Sequence, residues 1–342
     1  MFELMKQAVK VKNRRLILMA IVFFVFSAYF LHYLEPEMFN TPFIAFWYVM
    51  TTVTTTGYGD FVPETTIGKI YTLILYLVGI GLIGIILGKI VEFFELRRKW
   101  KEEGRLQFRG KSQFVVVGWS KKAKTTIYEI LISKEEAHIV LIDTKNRSPV
   151  SHPRIHYIQG DATEVKTLEK ASVLDAEAVL VFASDPVTDE VSADGRSLLI
   201  VSSIESYARK EGRQIYTIVE IIREKHIPNF KHANVDEFVL SNEAFSDLMA
   251  KSALHKGSTR LFMQLLSHKH GVNLWEIRRD PEWYTYHDAF EALKNMGANL
   301  ISDHHDFTII QRLDEPIPDD AQLYVICDDA TYRRLKDDIK IS

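Results

Sequence analysis

The sequence predicts a two-span helical membrane unit followed by a parallel-sheet α/β domain and a small α+β lobe. Three observations predict it. Residues 16–34 and 70–88 hold no Asp, Glu, Lys or Arg, and roughly 20 apolar residues at a rise of about 1.5 Å each cross the hydrocarbon of a bilayer. From 113 to 241, short continuous apolar runs alternate with helical stretches, as strands buried on both faces require. Residues 271–342 mix strand-like NLWEIRR, FTIIQR and QLYVICDD with a helix near His287 to Met296 and the turn Pro316-Ile317-Pro318.

Across 342 residues the chain is 47% hydrophobic and 25% charged, an average that conceals this split, so composition is read by region. The net charge of −3 gives no reason to expect a nucleic-acid partner. Lys6, Lys10, Lys12, Arg14 and Arg15 precede the first span, but the apolar run is longer than a signal-peptide core and no small-x-small cleavage site follows. It is expected to stay as a permanent helix. Lys89, Arg97, Arg98, Lys99 and Lys101 follow the second span, and residues 33–68 between the spans carry no Lys or Arg. This places both termini in the cytoplasm and the chain in the cell membrane. The single Cys327 excludes an intrachain disulfide and suits a reducing compartment.

The boundaries expected are an N-terminal segment 1–15 and a membrane unit 16–91, with an outer helix 16–34, a short helix 42–53, a loop 55–60 and an inner helix 67–96. A charge-rich linker 92–111, an α/β domain 112–241, a helical crossover 242–270 and a final lobe 271–342 follow.

Residues 38–59 are also uncharged, yet they include two glycines and a threonine run. A helix over 42–53 is only ~18 Å long, too short to cross, so this segment dips into the membrane and returns. Irregular backbone at that depth is tolerated where protein buries it or where it lines a watery cavity. The string Thr55-Thr56-Gly57-Tyr58-Gly59-Asp60 resembles the TVGYG selectivity filter of potassium channels, with Thr56 where Val is most common. The resemblance implies that K⁺ is the permeant ion, coordinated by the carbonyls of Thr55, Thr56, Gly57 and Tyr58 and by the Thr55 hydroxyl. Gly57 and Gly59 suit a backbone whose conformation must alternate. Trp47, Tyr48 and Tyr58 are expected to form an aromatic cuff behind the loop. One loop supplies a quarter of each oxygen ring and no second copy occurs in the chain, which implies a homotetramer.

The second span holds Gly79, Gly81, Gly84 and Gly88, each costing roughly 1 kcal/mol of helix propensity relative to Ala. Either close packing or a bending point accounts for them, and the resemblance puts a gating hinge at Gly79 or Gly81. Neither span carries arginines spaced by three, so direct voltage sensing is not expected.

The α/β region reads as a Rossmann-like doubly wound domain. Its first turn, Gly118-Trp119-Ser120-Lys121, keeps only the first glycine of a dinucleotide fingerprint. Asp143 ends the second strand where an acidic residue binds ribose hydroxyls, Asp161 follows the third, and Ser120 and Lys121 sit where phosphates meet a helix N-terminus. A two-span pore followed by VVVGWS, VLID and GDAT resembles the RCK (KTN, TrkA-N) potassium channels. That resemblance implies a nucleotide site of Gly118, Trp119, Ser120, Lys121, Asp143, Thr144, Asp161, Ala162 and Ala183. It further implies an octameric ring, completed by additional RCK domains, that pulls on the inner helices. No Met lies between Met50 and Met249, so a separately started ring domain needs another start codon or another chain. ADP, ATP or NAD(H) is the expected ligand. Ca²⁺ is the lesser candidate, because Glu220 matches one acidic position of the calcium-gated relatives while Phe182 and Ile222 stand where carboxylates are wanted. Asp185, Asp189 and Glu190 read as a solvated loop, and His304-His305-Asp306 as another. The alternatives are a weakly selective Na⁺/K⁺ pore or a ring open without ligand. A membrane-tethered dehydrogenase lacks a catalytic constellation, so no enzyme activity is expected.

Overall fold

The structure is a computed structural model that describes residues 13–183, 185–267 and 271–338. Lys6, Lys10 and Lys12, residues 268–270 of the crossover and residues 339–342 of the final lobe lie outside the described residues. The chain divides into two units, Met1–Trp100 and Lys101–Ser342.

In the first unit, α1 (Asn13–Leu34) and α3 (Thr66–Glu102) are the long apolar helices, and α2 (Pro42–Val53) is short. On α1, Leu16, Ala20, Phe24, Ala28 and Leu31 are buried at helical spacing, whereas Ile17, Leu18, Ile21 and Val22 are exposed. A helix apolar all round is what a lipid surrounding selects. The first unit's core joins Leu31, Phe39, Ala45, Val49, Val53 and Leu75. Thr41 caps α2 by accepting from Ile44 N at 3.3 Å, and Pro42 stands in its first turn.

A residue the sequence did not flag closes this unit. Glu35 is buried, and its carboxylate accepts from Glu64 N at 2.8 Å, Thr65 N at 3.2 Å and the Thr65 hydroxyl at 2.6 Å. A Cβ on Gly68 would sit 1.9 Å from Glu35 Oε1, so only glycine fits there. A Cβ on Gly79 would sit 2.3 Å from Val53 Cγ1. Close packing thus accounts for Gly79. At Gly81, Gly84 and Gly88 an added Cβ meets nothing within 4 Å among the described residues. The helix that holds them runs to Glu102, so the charge-rich stretch expected as a linker from 92 begins as helix; its Glu, Arg and Lys residues are good helix formers.

The second unit holds β1 (Phe114–Val117), β2 (Ile139–Asp143), β3 (Ile155–Gln159), β4 (Ala178–Val181), β5 (Thr217–Ile221) and β6 (Glu237–Leu240). They form one parallel sheet in the order β3-β2-β1-β4-β5-β6, so strand order reverses between β1 and β4. Between the strands run α4 (Lys121–Ser133), α5 (Val165–Lys170), α6 (Glu190–Lys210) and α7 (Ile227–His232). Val115, Val117, Ile142 and Val181 pack with Ile200, Val201 and Ile204 of α6. Val116, Leu141 and Leu180 pack with Ala123, Ile127 and Leu131 of α4. Helices therefore cover both faces, which is why these strands lack polar alternation.

Two helices, α8 (Ser241–Leu254) and α9 (Ser258–Leu266), lead to a three-stranded antiparallel sheet in the order β7-β9-β8, made of β7 (Val272–Arg278), β8 (Asn299–Asp303) and β9 (Gln322–Asp328). Helices α10 (Tyr286–Met296) and α11 (Asp329–Asp338) complete this lobe. FTIIQR, expected as a strand, supplies the 3₁₀ turn Phe307–Gln311 instead. Asp306 explains the difference, since its carboxylate accepts from Thr308 N at 2.7 Å and the Thr308 hydroxyl at 2.6 Å. Such local side-chain bonding competes with strand pairing. The strand falls one segment earlier, at Asn299–Asp303.

Gly79→Ala is expected to lower thermal stability of the chain in detergent by about 1–3 kcal/mol, the usual cost of overpacking, and Val53→Ala to restore it. A double-variant melting cycle checks this. No rescue by Val53→Ala would assign Gly79 to bending rather than packing.

Candidate functional site

The loop after α2 is tied back to the helix that leads into it. Thr54 N and the Thr54 hydroxyl donate to Met50 O at 3.0 and 2.7 Å. Thr51 O then accepts two N–H groups, Thr56 N at 2.9 Å and Gly57 N at 3.1 Å, while Thr55 N donates to Thr52 O at 3.1 Å. Thr55, Gly57 and Gly59 have φ of 60°, 54° and 72°, so left-handed residues alternate along the segment. Glycine at 57 and 59 makes that conformation easy. At Thr55 a β-branched residue occupies it, an unusual position that no local motif announces.

Trp47 holds the far side of the loop. Its Nε1 donates to Asp60 Oδ2 at 3.0 Å, and its ring stacks on Tyr58 with centroids 5.8 Å apart and planes 3° apart. Tyr48 departs from the expected cuff. It is buried, its hydroxyl shares a 3.1 Å hydrogen bond with Thr72 Oγ1, and its ring leans on Phe39 at 5.2 Å. Neighbouring residues on a helix point about 100° apart, and within this chain Tyr48 packs on Phe39 and Thr72 while Trp47 takes Tyr58.

The second candidate site is a cavity of about 250 Å³ where strand order reverses. Gly118, Trp119, Asp143, Thr144, Asp161, Ala162 and Ala183 line it. Gly118 has φ 88°, and a Cβ there would lie 2.9 Å from Phe182 O, so the tight turn requires glycine. Asp143 accepts from Trp119 N at 2.7 Å and Lys145 N at 3.0 Å. Asp161 accepts from Thr163 N and its hydroxyl, both at 2.9 Å. The Thr163 N–H, and more weakly the Arg196 charge, hold the Asp161 carboxyl below the usual carboxylate range. Ser120 and Lys121 do not line the cavity. Ser120 is the buried N-cap of α4, accepting from Ala123 N at 3.0 Å, and Lys121 N donates to Asp185 Oδ2 at 2.8 Å. Sequence reading missed Arg196 and Ser197, which α6 turns into the cavity; inside a long helix neither carries a motif.

Glu220 is buried, accepts from Ala183 N at 3.1 Å and is ion-paired with Lys122. Asp189 caps α6 through Val191 N and Ser192 N, and Glu190 pairs with Arg223 at 2.6 Å. His304 turns back on Asp303 at 2.8 Å in a left-handed turn. Among the described residues no group of three His, Cys, Asp or Glu is placed to hold a metal ion.

Two family models match the chain, an ion-channel model over residues 16–96 and a TrkA-N domain model over residues 114–241. The chain thus joins an ion-channel domain to a TrkA-N domain. It is 27% identical over 219 residues to the putative potassium channel protein YugO of Bacillus subtilis, covering 64% of this chain and 65% of that one. It is 26% identical over 238 residues to the calcium-gated potassium channel TvoK of Thermoplasma volcanium, covering 69% and 66%. The match therefore spans just under two thirds of these relatives' length. These relatives are channels, not enzymes. The crystal structure of GsuK bound to ADP is 15% identical, covers 67% of this chain and 61% of that one, and has a TM-score of 0.43; at that distance it places no ligand in this chain.

Trp47→Phe keeps an aromatic face against Tyr58 and removes the bond to Asp60. Losing a charge-assisted bond of about 1.5 kcal/mol is expected to speed amide exchange at Phe61, whose N–H rests on Asp60 Oδ1 at 3.1 Å, by roughly tenfold. Hydrogen exchange of the reconstituted chain checks this, with α2 amides as the internal reference.

Proposed function

We propose that the chain is one subunit of a homotetrameric, potassium-selective pore in the cell membrane, with both termini cytoplasmic. Its opening is set by an adenine nucleotide or NAD(H) in the cavity between β1 and β4. The observation that carries this reading is the segment Thr55 to Asp60, in which left-handed residues alternate and Trp47 braces the exit. Alternating conformations turn successive carbonyls to one side, and four chains around an axis would then stack oxygen rings that replace the hydration shell of K⁺. The C-terminal end of α2 aims its negative dipole toward the same axis, which favours a cation below the rings.

Carboxylates support the ligand class. Asp143 and Asp161 both line the cavity, each with lone pairs left for ribose hydroxyls, and Arg196 lines it too, a cation suited to phosphate. Ca²⁺ finds less there, because Glu220 already pairs with Lys122. Gating requires only that the ligand bind the open and closed arrangements of a ring of such domains with different affinity.

In planar bilayers with opposed K⁺ and Na⁺, the reversal potential is expected close to the K⁺ equilibrium potential. A value near zero would establish the weakly selective alternative and sink this reading. Thermal melts of the purified chain against ATP, ADP, NAD⁺, NADH and Ca²⁺ are expected to show stabilisation by a nucleotide, about 2.7 kcal/mol at a hundredfold excess over Kd, lost in Asp143→Ala. Absence of a shift with every nucleotide would point to a ring that opens without ligand.

A further inference from the structure

The turn between β1 and α4 is where a dinucleotide fold offers backbone N–H groups to a pyrophosphate. In this chain internal acceptors already hold those groups. Gly118 N donates to Ile142 O at 2.9 Å, Trp119 N to Asp143 Oδ2 at 2.7 Å, Lys121 N to Asp185 Oδ2 at 2.8 Å and Ala123 N to Ser120 Oγ at 3.0 Å. Two of these acceptors are carboxylates. Ser120 is already the N-cap of α4, so Asp185 is additional to the cap. It comes from 64 residues along the chain to set an anion at the positive end of the α4 dipole.

The two carboxylates are held unequally. Asp143 ends β2, is half-buried, and takes an N–H on each oxygen, from Trp119 and from Lys145 at 3.0 Å. Asp185 is exposed on the loop after β4, and among the described residues its one hydrogen bond comes from Lys121 N. Both line the cavity, as does Arg196. An N–H aimed at one anion has no second proton for another, and like charges at hydrogen-bond distance repel. A phosphate reaching the α4 N-terminus therefore has to turn a carboxylate out, and Asp185 has the fewer bonds to lose. An uncharged nucleoside meets no such competition, because its ribose calls on Asp143 and Asp161 and not on the helix end.

We propose that Asp185 is an internal anion standing in the diphosphate seat of this cavity. ADP or NAD binds by displacing it from Lys121 N, whereas adenosine binds with it in place. Asp185 thus sets how much of a nucleotide's affinity its phosphates supply. The proposal rests on the nucleotide reading of the cavity, which adenosine tests separately. Titration calorimetry of the full chain in detergent measures adenosine and ADP affinities, with EDTA present so that no divalent cation bridges the anions. The variants are Asp185→Asn, which keeps the size and one acceptor oxygen but not the charge, and Asp185→Ala. In both, ADP is expected to bind about tenfold more tightly, equivalent to about 1.4 kcal/mol, with adenosine affinity unchanged. A residue that only braced the turn would lower the melting temperature of both variants and leave the ratio of the two affinities alone. An ADP-to-adenosine affinity ratio unchanged or lowered in Asp185→Asn would overturn the proposal, and that variant decides by itself if Asp185→Ala does not fold. Binding of neither ligand to the parent or to either variant would overturn the nucleotide reading and this proposal with it.

Discussion

Backbone N–H and C=O groups at membrane depth must find partners inside the protein, because hydrocarbon offers none. In the first unit that constraint falls on the two stretches that leave helical geometry. The stretch after α2 is satisfied by α2 itself, with Thr51 O taking two N–H groups and Met50 O taking both donors of Thr54. The stretch before α3 is satisfied by Glu35, whose carboxylate reaches from the end of α1 to Glu64 and Thr65. Much else follows. Gly68 is glycine because Glu35 lies against it, and Trp47 is tryptophan in a position that needs a flat face for Tyr58 and a donor for Asp60.

The second unit solves a different problem, that of leaving polar atoms open at one end of a fully covered sheet. Strand order reverses between β1 and β4, so the chains leaving them diverge and a cleft remains. Local turns hold its carboxylates. Asp143 is fixed by Trp119 N and Lys145 N, and Asp161 by Thr163. Each oxygen that takes one N–H keeps a lone pair for a further donor. Glu220 belongs to the frame instead, since burial beside Lys122 and Ala183 N leaves it little to offer.

Much of the fold was legible because its signals are local or periodic. Uncharged runs marked both spans and the short α2 between them, and continuous apolar strands marked the parallel sheet. The final lobe was harder, for FTIIQR has strand composition, and only the Asp306 to Thr308 bonding turns it into a 3₁₀ segment. Tyr48 was misplaced for a geometric reason, since adjacency in sequence on a helix separates side chains rather than joining them.

By itself the sequence determined the order of the units, the loop after α2 with its two glycines, and the carboxylates at the strand ends. These depend on composition, spacing and backbone permissiveness within a few residues of each other. Only the tertiary structure decided which glycine packs and which stands clear, that Glu35 closes the loop before α3, that Arg196 enters the cleft, and that Lys122 claims Glu220. Each of those joins side chains from separate elements, and no local pattern encodes a partner that arrives only when the elements pack.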